Sequence, residues 1–284
     1  MKVDTPIISK DPGYSKNIIT LQKGDIVFSE IRKGFDHIDS IIFAIQWISK
    51  KILGKSFDYD STRLVHAYIV ADVDKEHTYL IEAVPKKGVR KIEFFSDNST
   101  NLMHNTNYHY RVLRPTAEFE EVAKRAADLA NSVAFTDRSA RKSSDRPNPK
   151  TVNPFSFWLA FRAMFTDASE FSFDAKKRVY KQIADGQQED LQSFTGGSKK
   201  RKFFCSYFVA HVLQMSQAKE KVNEEVIGDS RKWAAQMAAS DIDLKEKLGP
   251  FAYNAKAMAP YELYEHLLRH NAYSFPLEIE PPPT

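Results

Sequence analysis

Cysteine is almost absent: Cys205 is the only one in 284 residues. A single thiol excludes an intramolecular disulfide framework and any zinc site built from several cysteines, and it suits a reducing compartment. Long apolar runs are missing as well. The most hydrophobic stretch, Ile38 to Leu53, is interrupted by Asp39, Gln46, Lys50 and Lys51 and is too short to span a bilayer. No integral membrane segment is expected. The stretch from Met1 to Pro12 holds no apolar core of the kind a Sec signal needs, which predicts a cytoplasmic chain or one exported by a route without that signal. Neither charge sign dominates, with 41 Lys and Arg against 37 Asp and Glu. At a net charge of +4, and without RNP, zinc-finger or homeodomain patterns, a nucleic-acid partner is not expected. G-x-x-x-x-G-K-[ST], G-x-G-x-x-G and H-E-x-x-H are all missing, which argues against nucleotide cofactors and zincin chemistry. Neither a cofactor nor a metal is expected.

What remains is ordinary globular composition, 42% hydrophobic and 27% charged, long enough for one domain with an insertion or for two small ones. Apolar alternation predicts strands at 24–31, 64–72, 78–85, 88–95 and 107–114, the last four forming an antiparallel meander. Helical spacing predicts helices at 36–53, 117–133, 154–166, 174–185, 203–217, 229–239 and 260–269. The polar stretch 136–150 reads as mobile. The chain divides into an N-terminal arm (1–20), a sheet part (21–135), a helical insert (136–198), a cysteine helix with closing helices (199–270) and an extended tail (271–284). The insert is expected to shape a cleft or bind a partner, and not to complete the core.

Cys205 stands at the start of an apolar helix pattern, just after Lys199, Lys200, Arg201 and Lys202. Unpaired N–H groups and the positive end of the helix dipole favour an anion there. Such surroundings can lower a thiol from about 8.5 to roughly 3.5–7.5, the range nucleophilic catalysis needs. A lone cysteine is equally at home as a small buried hydrophobe. The four cations read as a solvated loop, or as a positive approach favouring an anionic substrate. Among eight histidines, only His66 interrupts an apolar strand, Leu64 to Asp72. It is either a hydrogen-bonded core histidine or a base. Glu82 lies sixteen residues on, inside the apolar strand Thr78 to Val84. A carboxylate in such a run needs a partner. If the two strands pair with an even register sum, His66 and Glu82 share a face and meet; a slip of one residue separates them.

In order, Lys23-Gly24-Asp25-Ile26-Val27-Phe28, Val65-His66-Ala67-Tyr68-Ile69-Val70, Leu80-Ile81-Glu82-Ala83 and Phe204-Cys205-Ser206-Tyr207-Phe208-Val209 resemble the circularly permuted NlpC/p60 papain-like family. The nearest branch is the YiiX-like putative amidases, with lecithin retinol acyltransferase a more distant relative. Met258-Ala259-Pro260-Tyr261-Glu262-Leu263 resembles a segment that follows the cysteine helix in that family. The resemblance implies an α+β permuted papain-like fold, with an antiparallel sheet packed on a cysteine-bearing helix. It implies Cys205 as nucleophile, His66 as base, Glu82 as the group orienting the imidazole, and backbone N–H groups of Cys205 and Ser206 as the oxyanion site; where the strand register turns Glu82 away, Asp25 or a main-chain carbonyl is the expected substitute. The expected activity is thiol hydrolysis of a peptide-type amide. Two further readings are a lipid or acyl-ester hydrolase or acyltransferase, and a non-catalytic effector or binding module keeping the fold. Peptide, acyl-amide or lipid substrates are the partners implied. An acyl-chain groove along Ile41–Ile48 would favour the lipid reading.

Overall fold

The computed structural model describes residues 21–31, 46, 63–74, 77–85, 88–94, 108–142, 156–166, 168, 171–188, 203–222, 228–240 and 243–279. Strands β1 (Ile26–Ile31), β2 (Leu64–Val73), β3 (Thr78–Val84), β4 (Gly88–Glu93), β5 (Tyr108–Pro115) and β6 (Tyr273–Ile279) form one antiparallel sheet in the order β4-β3-β2-β1-β5-β6. Among the described residues the helices are α1 (Glu120–Lys142), α2 (Phe157–Met164), α3 (Phe173–Gln188), α4 (Cys205–Lys221), α5 (Ser230–Ala239), α6 (Leu244–Leu248) and α7 (Pro260–Arg269). The class is α+β, as the pattern predicts.

The strand order corrects the expected meander. β2, β3 and β4 do run side by side, but β5 pairs with β1 and not with β4. Every residue of β1 is buried. A strand apolar on both faces belongs in the middle of a sheet, with both edges hydrogen-bonded. Residues 271–284 are expected as an extended tail; instead Tyr273–Ile279 is a strand pairing with β5. The mobile stretch expected from 136 also begins too early, because α1 runs on to Lys142. The helix expected at 36–53 lies outside the described residues, apart from helical Gln46.

One face of the sheet (Ile26, Phe28, Ala67, Ile69, Ile81) packs on α1 through Val122, Ala126 and Ala130 and on α4 through Phe208, Val209 and Val212. Fourteen consecutive residues of α4, Cys205 to Ala218, are buried, so this helix is apolar all round because it lies inside the protein. The opposite face buries Val27, Tyr68, Val70, Leu80, Tyr110 and Val112. Gly24 enters β1 at φ +93°, with Ala123 of α1 only 2.8 Å from where a Cβ would sit.

The insert does not stand off the core as expected. Val179, Tyr180 and Ile183 of α3 are buried with Met215 and Ala218 of α4 and Trp233 of α5, and the Tyr180 and Trp233 rings meet edge to face at 5.7 Å. The spacing 179, 180, 183 is the apolar stripe of a helix that must cover a neighbour; that neighbour is chiefly α5, with α4 beside it.

Candidate active site

Two irregularities in β2 bracket the site. Between the Ser29↔His66 and Glu30↔Leu64 pairs, Val65 is an extra residue; between Val70↔Leu80 and Asp72↔Tyr79, Ala71 is another. A bulge turns the side chains next to it. The backbone at the first bulge is tied down by Gln46 Nε2, which donates to the Leu64 carbonyl at 3.0 Å. Arg63 adds to this, donating from Nε and Nη2 to the Ile31 carbonyl at 3.1 and 2.6 Å. The second bulge sets the register. On the turn side of Ala71 the pairs are Asp72↔Tyr79 and Val73↔Thr78; on the site side they are Val70↔Leu80 and Ile69↔Ile81. Continued unbroken from the turn, the ladder would put His66 and Glu82 on opposite faces. The bulge gives the site side an even register sum, so the two share a face as diagonal neighbours.

They meet there: His66 Nε2 lies 2.9 Å from Glu82 Oε2. Cys205 is the second partner of the imidazole, through a side-chain hydrogen bond that helps to raise it. The Glu82 side chain is 3% exposed and that of His66 16%. On β4, Arg90 faces Glu82 directly. Its Nε and Nη2 converge on Oε1 at 2.6 and 2.5 Å, leaving Oε2 to the imidazole. The result is one hydrogen-bonded chain, Arg90–Glu82–His66–Cys205. Arg90 is the member that sequence reasoning missed. Its signal was present: Gly88 fixes a tight β3–β4 hairpin, and that register places residue 90 opposite residue 82.

The electrostatics follow from this order. Burial alone pushes the His66 imidazole down, but Cys205 on one side and Glu82 on the other outweigh it and raise it to about 10. Burial pushes Glu82 up, and its bonds to His66 and Arg90 pull it below the usual carboxylate range. Both shifts favour imidazolium beside carboxylate. The Tyr68 ring sits 4.5 Å from the His66 ring, edge to face. Burial, with Glu82 and Tyr110 nearby, holds the Tyr68 phenol far above its ordinary range, so it is a neutral wall of the site.

Cys205 is the first residue of α4, preceded by extended Phe204, which provides no side-chain cap. The N–H groups of Cys205 and Ser206 therefore lack both an intrahelical and a capping acceptor. The helix start is fixed on two sides: the Ser206 hydroxyl donates to the Met258 carbonyl at 2.7 Å, and the Ser156 N–H donates to the Phe203 carbonyl at 2.8 Å. Asp25 does not replace Glu82. It is wholly buried, takes two bonds from Arg114 at 3.1 and 2.8 Å, and accepts the Gln22 N–H at 2.8 Å. Burial still pushes its carboxyl up against that pairing. Asp25 thus fastens the entry of β1 to β5. The possible groove along Ile41–Ile48 lies outside the described residues, apart from Gln46. Among the described residues, no group of three or more His, Cys, Asp or Glu side chains is placed to hold a metal ion, and no helix is long and apolar enough to cross a membrane. Comparison of the chain with protein-family models, with curated proteins and with solved structures gave no significant match.

Proposed function

We propose that the chain is a thiol hydrolase of the amidase or peptidase type, with Cys205 as nucleophile, His66 as general base and Glu82 as the group that orients the imidazole. The observation that carries this reading is the hydrogen-bonded order Cys205–His66–Glu82, with the single thiol of the chain at an uncapped helix start. A permuted papain-like arrangement accounts for the same order of strands and helix, and the resemblance in sequence points the same way.

In the resting site His66 holds the thiol proton, so imidazolium sits between thiolate and carboxylate. The sulfur attacks the amide carbonyl, and the carbonyl oxygen, now an anion, accepts from the backbone N–H groups of Cys205 and Ser206. His66 then passes its proton to the leaving nitrogen, and the C–N bond breaks to give a thioester on Cys205. Water, deprotonated by His66, attacks that thioester and releases the acid. Glu82 keeps the Nε2–H tautomer through the cycle, so Nδ1 always serves the sulfur.

The test is alkylation by iodoacetamide at about pH 6.5, where an ordinary thiol is almost wholly protonated. Cys205 should react well ahead of a free thiol, and His66→Ala should abolish the excess while leaving the protein folded. Equal rates in the two proteins would remove the ion pair and the hydrolase reading with it.

A further inference from the structure

Helix α2 faces the opposite way from a helix that only covers a core. Its small residues Ala160 and Ala163 are buried in the main core, while Phe161 and, at its C-terminal end, Phe165 are 42% and 37% exposed. A surface helix ordinarily turns its large apolar side chains inward and its polar ones to water. One exposed apolar residue signifies nothing, but these two stand one turn apart and their rings meet at 5.1 Å, which makes a ridge. Phe173, 51% exposed, opens α3 a short way on. The stretch between is held by the Asn254 N–H, which donates to the Ala168 carbonyl at 3.0 Å. Arg162 of α2 and Asp174 of α3 both lie close enough to Arg178 to act on its charge, so the two helices present neighbouring faces. Residues 156–181 carry five Lys and Arg against three Asp and Glu. In sequence, the cations Lys199 to Lys202 run straight into Phe203, whose carbonyl takes the N–H of Ser156 at the start of α2.

We propose that this ridge docks the protein on a lipid bilayer containing anionic headgroups, with the Phe161 and Phe165 rings entering the interface and the cations resting on the headgroups. Three partly exposed rings offer roughly 200–300 Å², far short of the about 800 Å² that each partner gives to a stable protein interface. A bilayer asks only for rings that reach the acyl boundary. A second copy seated on the same ridge would set like charges against each other. Docking does not rest on the chemistry at Cys205, but α2 is tied at Ser156 to the segment entering α4, which would keep the thiol on the order of 20 Å from the lipid surface.

The test is flotation of the full chain with vesicles of phosphatidylcholine mixed with phosphatidylserine, and with vesicles of phosphatidylcholine alone. Tighter partition into the mixed vesicles is expected. Replacing both rings, Phe161→Ser with Phe165→Ser, should lower that partition about tenfold or more without lowering Tm. Should the double variant melt early, Arg162→Glu, at an exposed position, is the second readout and should weaken binding severalfold. Cys205→Ala should float as the unaltered chain does. No flotation, equal partition into both lipid compositions, or partition unchanged in the ridge variants would overturn the proposal. So would binding lost with Cys205→Ala, which would mean capture at the thiol, or a ridge-dependent complex with a protein in the absence of any vesicle binding.

Discussion

Arg90→Ala is the sharpest probe of the chain of hydrogen bonds behind the thiol. The change removes both bonds to Glu82 Oε1, at 2.6 and 2.5 Å, and leaves a carboxylate that is 3% exposed with His66 as its remaining partner. Removing one partner of a buried ion pair costs about 3–5 kcal/mol. The Arg90 side chain is 31% exposed, so water already screens part of the pair and the loss falls to about 2–3 kcal/mol. In a chain of this size that is a fall in Tm of roughly 5–10 °C. The pH dependence gives a second, independent reading. Glu82 is held below its ordinary value in the fold, so its contribution is present above the unfolded pKa and is lost as pH falls through the folded one. Without Arg90 that lowering shrinks. The gap in Tm between the two proteins should therefore be widest near neutrality and close as pH drops below about 4.5. Calorimetric melts from pH 7 to pH 3 measure both. An unchanged Tm at pH 7, or a gap independent of pH, would show that Arg90 does not hold Glu82 charged.

Further outcomes follow from other contacts. Gly24→Ala should destabilise by more than about 2 kcal/mol, since φ +93° disfavours a side chain and the new Cβ would fall 2.8 Å from Ala123 Cβ; a wild-type urea midpoint would contradict this. Ser206→Ala strands the buried Met258 carbonyl, losing about 1–2 kcal/mol. It should also loosen the helix start, read as slower alkylation of Cys205; an unchanged rate would show that the helix start is held without it. Burial lowers His266 to about 4, although its ring nitrogen meets the Pro250 carbonyl at 2.7 Å. A histidine depressed in the fold lends stability above its unfolded value, about 6.5, that drains away as pH falls to the folded one. His266→Gln should therefore flatten the loss of stability between pH 6.5 and 4 in urea melts, and an unaltered acid slope would refute it.

Much of this architecture could be read from residue order, and the exceptions have physical causes. The strands show because each alternates or is wholly apolar, but alternation says nothing about which strand lies beside which. Only the burial of both faces of β1 reveals that it needs neighbours on two sides. β6 escapes notice because Pro276 breaks the pattern, and an edge strand tolerates a proline that a central strand cannot. The overrun of α1 through Thr136–Lys142 reflects a polar run with no Gly or Pro to stop it. At the site, His66 and Glu82 announce themselves as polar residues in apolar strands, and their meeting required an even register, which the bulge at Ala71 supplies. Arg90 shows only through the β3–β4 register that sets it opposite Glu82; by residue type alone, an arginine on a half-exposed strand looks like any solvated cation. The approach of Cys205 to His66 depends on how α4 docks, across more than a hundred residues of intervening chain. No local pattern encodes that.

The bulge at Ala71 also divides the β2–β3 hairpin into a part whose length is free and a part whose length is frozen. Excising Ala71 would join Val70 to Asp72 and leave the Ile69↔Ile81 pairing intact, so the carboxylate would stay under the imidazole. Residues added at the tip, around the turn closed by the Asp74 N–H to the His77 carbonyl at 2.9 Å, are likewise absorbed before they reach the site. A single residue gained or lost between His66 and Ile69, or between Ile81 and Glu82, has no such outlet and carries Glu82 to the other face of the sheet. Related chains that keep this site can therefore differ in the hairpin tip by any number of residues, while the spans 66–69 and 81–82 admit substitutions but no insertion or deletion.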